Sequence, residues 1–466
     1  MSFDSLRYII FLPVVCAAHW LTRGKYRWAV LLLASYVFYA SWNVSLSLLI
    51  LGVTACSYCA GRLIQRTENR RLRRFWLVAA LAVSFGALGY FKYFNFIGQS
   101  LLTLTGGQWR TQDIILPVGI SFYTFQAMSY VIDVYRKDLP AEKHFGYYAL
   151  YISFFPQLVA GPIERAGGLI GQLKADRTLS REDVIMGLRY LVSGFFRKLV
   201  IADLAAPFVD AAYRADAPDG SAVVIATLLF AIQIYCDFSG YSEIALGSAR
   251  LLGVRLMRNF DRPYGAANLR DFWRRWHISL TQWFTDYVYI PLGGSRRGLK
   301  RQLLAQFVVF FLCGLWHGAE WSFVIWGLLH ACFLNLYTLF THFHPQQKPG
   351  IAGHILTLAA VCFAWLFFRA NDLAHAGMLL RQLFSPWQVS AGIELLMTAA
   401  IRNTQPVTLL LLLCGLLLIL RRLPAVTDGK SSIPDAAWAG LLLAVITAAL
   451  IRMDAGAANA FIYFQF

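Results

Sequence analysis

Apolar residues in this chain come in long runs rather than short alternating stretches. The runs cover about 8–21, 28–41, 44–61, 75–97, 114–132, 145–160, 183–212, 222–250, 303–317, 321–341, 354–368, 406–421 and 437–451. A membrane-spanning helix needs about 20 largely apolar residues, and most of these runs meet or approach that length. Several are short or interrupted, as where Arg189, Arg197 and Lys198 fall inside 183–212. Charges at such depth fit broken, tilted or re-entrant helices that face protein or water. The pattern predicts an all-α, polytopic transmembrane helical bundle of roughly ten to thirteen helices, with short re-entrant and interfacial pieces. It reads as one membrane-embedded domain over 1–466, with N-terminal helices in 1–110, a motif-bearing core in 111–370 and C-terminal helices in 371–466.

One segment departs from the pattern. Val254–Arg301 holds ten Lys and Arg against three Asp. Within it Trp273, Trp276, Leu280, Trp283 and Tyr287 recur at spacings of 3, 4, 3 and 4, which is one face of a helix. An aromatic stripe flanked by arginines predicts a single helix lying along the membrane interface.

Composition turns the pattern into a class. Of 466 residues, 58% are apolar or aromatic and 14% are charged, where a soluble domain carries about 25% charged. A single soluble core stops growing near ~250–300 residues, so it cannot absorb this excess. Disordered, collagenous and disulfide-stapled classes are excluded as well. The net charge of +17 lies between apolar runs, so no nucleic-acid partner is expected, and membrane lipid is. The first run is followed, not preceded, by Arg23, Lys25 and Arg27, which predicts a retained span rather than a cleaved signal. Six arginines over 62–74 form a second basic loop, two runs further on. Basic loops face the cytoplasm, which puts the N-terminus outside. The cysteines, Cys56-x-x-Cys59 included, sit mostly in apolar runs and read as small buried packing residues rather than redox pairs.

Two histidines carry the candidate chemistry. His317 interrupts apolar helices, with Gly314 before it and Gly318 after it. An ionisable group at membrane depth marks a functional pathway. A hydrogen-bonded core histidine beside a Gly-x-x-x-Gly helix contact fits the same residues, and both readings stay open. His277 follows Trp273 by four residues beside the aromatic stripe, where an anchoring role competes with a chemical one. Asp237 and Glu243 place carboxylates in a long apolar helix, 117–126 is a proline-started helix, and 155–164 is broken by Pro156 and Pro162. Polar contacts that hold helices together account for most of these. Cys313 stands one turn before His317, but a thiol in apolar surroundings is usually inert. His342 and His344 lack nearby Cys or carboxylate ligands, so no metal site is expected.

Taken together, PVGISFYTFQAMSYVIDVYR (117–136), FPQLVAGPIER (155–165), QIYCDFSGYSEIALG (233–247), RDFWRRWHISLTQWFTDYVYIPLGG (270–294), GLWHGAEWSFVIWG (314–327) and FIYFQF (461–466) resemble the membrane-bound O-acyltransferases. Within them the order is similar to the branch that O-acetylates alginate, cellulose and peptidoglycan in bacteria. The teichoic acid D-alanyl transferases are more distant cousins. The resemblance covers the chain from about residue 8 onward and is loose between Asn371 and Ala460.

That resemblance implies a bundle around a central tunnel in the bacterial inner (cytoplasmic) membrane. The family's catalytic histidine falls on His317 and its second position on His277. It further implies no bound cofactor, acetyl-CoA as acyl donor, and a periplasmic acetyltransferase or acetyl-accepting protein as partner within a polysaccharide biosynthesis and export complex. Acetyl transfer to a hydroxyl needs a base and shelter from water, roles that suit His317 as base and His277 as a positioning or charge-stabilising group. Trp316, Glu320, Asp237, Ser239, Tyr241, Arg274 and Arg275 are the expected substrate-binding residues. Glu320, three residues past His317, would share its helix face and orient the imidazole. The arginines, with Arg258 and Arg262, suit donor phosphates or lipid headgroups equally. A transporter or flippase lined by the same groups competes with this, as does a scaffold without catalysis; no paired inverted segments favour the transporter.

Overall fold

In the computed structural model, residues 1–403 except 108, 160 and 347–349, together with 440, 442 and 445, are described. The run at 406–421, most of 437–451, Cys414 and the 461–466 motif lie outside them. Every regular element among the described residues is helical, with no strand. Six helices are long and apolar enough to cross a membrane: Val44–Arg66, Arg70–Leu104, Gly220–Leu251, Leu299–His317, Trp321–Phe343 and Ile351–Arg369. Leu6–Leu21 and Val389–Thr398 are shorter apolar helices. The protein is a multi-pass helical membrane protein.

Short polar residues start these helices where the sequence changes character. Asn43 accepts from the Ser45 and Leu46 N–H groups, which turns the uncharged Trp42-Asn43 joint into a helix start. Asn69 does the same for Arg71 and Leu72 inside the second basic loop. The proline-started helix begins later than expected. Gly119, at φ +73, is its cap and Ile120 its first residue. A side chain at 119 would collide with the Leu158 carbonyl, so that position needs glycine.

Contacts divide the chain into two units, Met1–Leu191 with Ile244–Arg258, and Val192–Glu243 with Asn259–Phe466. In the first, Ile120–Arg136 is buried almost throughout. Tyr151 Oη donates to the Gln126 and Glu164 carbonyls at 3.3 and 3.1 Å. Gln157 Nε2 donates to the Tyr151 carbonyl at 2.7 Å. The helix Phe145–Ser153 stops before a buried turn, Phe155–Leu158, that carries Pro156. The polar inserts of 117–126 and 155–164 are therefore joined to one another inside this unit. Burial pushes the Glu164 carboxyl up to about 7, against the hydrogen bond it accepts from Met257 N–H.

In the second unit the charged run carries a wide turn. The α-helical stretch ending at Phe195 passes into a π-helical segment, Phe196–Ala202, then into Asp203–Tyr213. A π turn inserts one residue relative to an α turn, and here it carries both Arg197 and Lys198. Lys198 Nζ meets Asp237 at 2.7 Å and Asp203 at 2.8 Å, while Arg197 meets Glu243 at 3.3 Å. Each cation is under one-tenth exposed. A buried charge is tolerated only when paired, and the pairing explains why acidic and basic residues enter two apolar helices together.

Cys236, Cys313 and Cys362 are buried as expected, but Cys56 is half-buried and Cys59 and Cys332 are exposed. The last two lie on outer faces of spanning helices, where lipid replaces protein packing.

Candidate active site

The single interfacial helix expected over Trp273–Tyr287 is two short helices instead. Leu269–Arg275 and Ile278–Phe284 are separated at Trp276 and His277. Asn259 and Asp261 intervene: Ile278 N–H donates to the Asn259 carbonyl and Asp261 N–H to the Arg275 carbonyl, both at 2.9 Å. Asn259 Oδ1 also accepts from Ser279 Oγ at 2.6 Å. These bonds replace the helical ladder across the break. His277 takes φ +44, a left-handed conformation rare for a residue with a Cβ. The aromatic stripe turns inward as well, with Trp273, Trp276, Leu280 and Trp283 all buried. Stacking of Trp276 on Phe272, 5.6 Å apart at 16°, accounts for part of that.

His317 ends the helix Leu299–His317 and Trp321 starts the next. A side chain at Gly314 would meet the Phe323 backbone, and one at Gly318 the Phe323 ring. The glycines around His317 thus serve close helix approach, the Gly-x-x-x-Gly role. Gly318 is extended at φ −154, so Glu320 is not on the His317 helix. Glu320 caps the following helix and is exposed. Glu320 therefore does not share a helix face with His317 as expected, because the helix stops at His317. Partial burial and then the Asp372 charge raise its carboxyl.

The two histidines come together. Their ring centres are 6.3 Å apart, and Trp316 packs on both, at 5.6 Å from His277 and 5.0 Å from His317. Trp326 and Phe368 close on His317 at 4.9 and 5.4 Å, and Phe238 on His277 at 4.7 Å. His277 has no exposed surface and His317 is 3% exposed. Burial pushes the His277 imidazole down to about 3, so it is neutral at physiological pH.

Beside this aromatic enclosure lies a cavity of about 410 Å³. Arg270 and Arg274 line it, as do Trp273, Phe310 and Cys313. Cys313 precedes His317 by one helical turn, so the cavity reaches the histidine's own helix. Arg275, by contrast, is held by Asp271 at 2.8 Å. Asp237, Ser239 and Tyr241 sit in the Lys198–Arg197 cluster: Ser239 Oγ accepts from Arg197 at 3.1 Å, and Lys198 lies over the Tyr241 ring. Phe238 between them is the residue that faces His277. Among the described residues, no group of three His, Cys, Asp or Glu could hold a metal ion.

The model of the membrane-bound O-acyltransferase family matches residues 136–377. The chain belongs to the membrane-bound O-acyltransferase family. It is 38% identical to a probable alginate O-acetylase of Pseudomonas aeruginosa over 82% of this chain and 74% of the relative. The probable alginate O-acetylase of Pseudomonas putida is 34% identical over 98% of both chains. A peptidoglycan O-acetyltransferase of Helicobacter pylori is 35% identical over 74% and 71%. The protein is an O-acyltransferase.

His330 escaped the sequence reading. It is buried, its Nδ1 accepts from Trp273 Nε1 at 3.3 Å, and its ring lies 4.9 Å from Trp326. Its spacing of four from Trp326, within an otherwise apolar helix, was the available signal.

Proposed function

We propose that this O-acyltransferase moves acetyl groups from acetyl-CoA in the cytoplasm toward hydroxyls of an exopolysaccharide, with alginate the first substrate to test. The observation that carries this reading is the His277–His317 pair, buried in an aromatic shell next to an arginine-lined cavity. His317 takes the acceptor hydroxyl proton while that oxygen attacks the thioester carbonyl. The C–S bond breaks, and the leaving thiolate receives the proton. His277, neutral and fixed by its backbone break, positions the acyl carbonyl or its developing charge. Arg270 and Arg274 hold the donor phosphates. The surrounding tryptophans exclude the water that would hydrolyse the thioester. Polysaccharide names among the relatives support the acceptor class.

In this reading the protein resides in the bacterial inner membrane with its N-terminus outside, and a periplasmic acetyltransferase or acetyl-accepting protein completes transfer within the polysaccharide export complex. The test replaces His317 with Ala, confirms normal membrane level, and measures polymer acetylation. Loss of acetylation is expected, and an unchanged acetyl content removes the base assignment. Labelled acetyl-CoA given to the purified protein separates transfer from transport. Thioester cleavage is expected, whereas passage of intact donor would make the protein a transporter.

A further inference from the structure

The first unit contains a second polar cavity, of about 340 Å³, that acyl transfer does not use. Its volume falls in the range of small-ligand sites, about 300–1,000 Å³. Lys25, Arg27, Lys174 and Arg177 line it. Two carboxylates oppose them, Asp176 on Arg27 at 3.3 Å and Glu142 on Lys174 at 2.6 Å. Four cations against two anions leave two positive charges in excess. Arg27 is fixed by hydrogen bonds to the Thr22 and Arg177 carbonyls and by the Trp20 ring beneath it. Arg177 donates to the Gly253 carbonyl at 3.1 Å. Gly253 has φ +75, where a side chain would be strained and would press on Trp20.

His19 also lines the cavity and is 5% exposed, and an imidazole N–H there can donate to the oxygen of a bound anion. Fixed guanidinium forks match phosphate oxygens. The cavity also lies where the apolar helix Leu6–Leu21 gives way to a basic loop, and such basic pockets at membrane boundaries take anionic headgroups.

We propose that this cavity binds a phosphate-bearing anion, either the phosphodiester headgroup of an anionic phospholipid or a soluble phosphate monoester. Full-length protein in detergent is titrated with phosphatidylglycerol, phosphatidylcholine and glycerol 3-phosphate, and bound ligand is read by native mass spectrometry. Wild type is expected to prefer phosphatidylglycerol over phosphatidylcholine. Lys25→Gln with Arg177→Gln is expected to weaken that binding about 25-fold, at about fivefold per cation. Lys25→Gln alone changes an exposed residue of the short helical turn Gly24–Tyr26, and is expected to cost about fivefold without changing the unfolding temperature. Arg177→Lys, which keeps the charge, should recover most of the affinity. Binding of glycerol 3-phosphate that is lost in the double variant, without lipid preference, assigns the soluble source. Equal binding of every probe by wild type and the double variant overturns the proposal.

Discussion

The imidazoles of His277 and His317 face each other at 6.3 Å across chain breaks of two different kinds. One sits at a left-handed kink between two short helices, the other on the last residue of a long one. Forty residues of sequence separate them. If they act as one device, His317→Ala and His277→Ala each lower acetyl transfer by about 10²–10⁴-fold. The double variant is then no slower than His317→Ala, since members of a catalytic unit are non-additive. Losses that multiply would show that the histidines work separately.

Neutral burial of His277 makes stability depend on pH in a definite direction. The unfolded imidazole takes up a proton near 6.5, the folded one only near 3. Below 6.5 the unfolded chain holds more protons, so stability falls as pH falls, by up to about 1.4 kcal/mol per unit. Lowering the pH from 6.5 to about 5 should cost about 2 kcal/mol. His277→Asn, which tolerates the left-handed backbone, should lessen the acid-side slope by this one group's share, about 2 kcal/mol between pH 6.5 and 5, in denaturant titrations run in detergent.

Arg274 and Arg275 adjoin in sequence yet predict different phenotypes. Arg274 lines the cavity with Arg270, and replacing either with Gln should raise KM for acetyl-CoA about tenfold with kcat nearly unchanged. Arg275 is engaged by Asp271, so Arg275→Gln should leave KM near wild type. Steady-state kinetics on the three variants decide the matter.

Lys198 holds two carboxylates, Asp203 and Asp237. Lys198→Met removes an ion pair from each, and unfolding in detergent should show a loss of about 3–5 kcal/mol. Adding Asp237→Asn should return part of it, because one of the two buried carboxylate charges is then gone. A Lys198→Met protein as stable as wild type would mean that the cluster carries no net stabilisation.

The helices themselves were legible because apolar length is a strong signal: the runs at 44–61, 222–250, 303–317 and 321–341 all correspond to helices. Ion partners were half legible. Arg197 and Lys198 stood out as charges inside an apolar run, and Asp237 and Glu243 likewise, but matching them requires knowing which helices pack. The kink at His277 left no trace in periodicity, since the 3-4-3-4 aromatic spacing continues through it. What breaks the helix is the distant Asn259–Asp261 strap. Glu320 misled for the opposite reason, because an i+3 relation holds only while the helix lasts. His330 was hidden by its apolar neighbours, and the arginine-lined cavity by its dispersion over 270–334.

The π-helical turn at Phe196–Ala202 bears on how relatives of this chain are compared. One residue more or fewer there shifts everything downstream by about 100° around the helix axis. A relative with an ordinary α turn at this place would be one residue shorter, and its cation would occupy the Lys198 position only after a gap is opened. An alignment forced through without that gap would score a conserved ion cluster as lost, so its presence should be judged by which carboxylate each cation can reach.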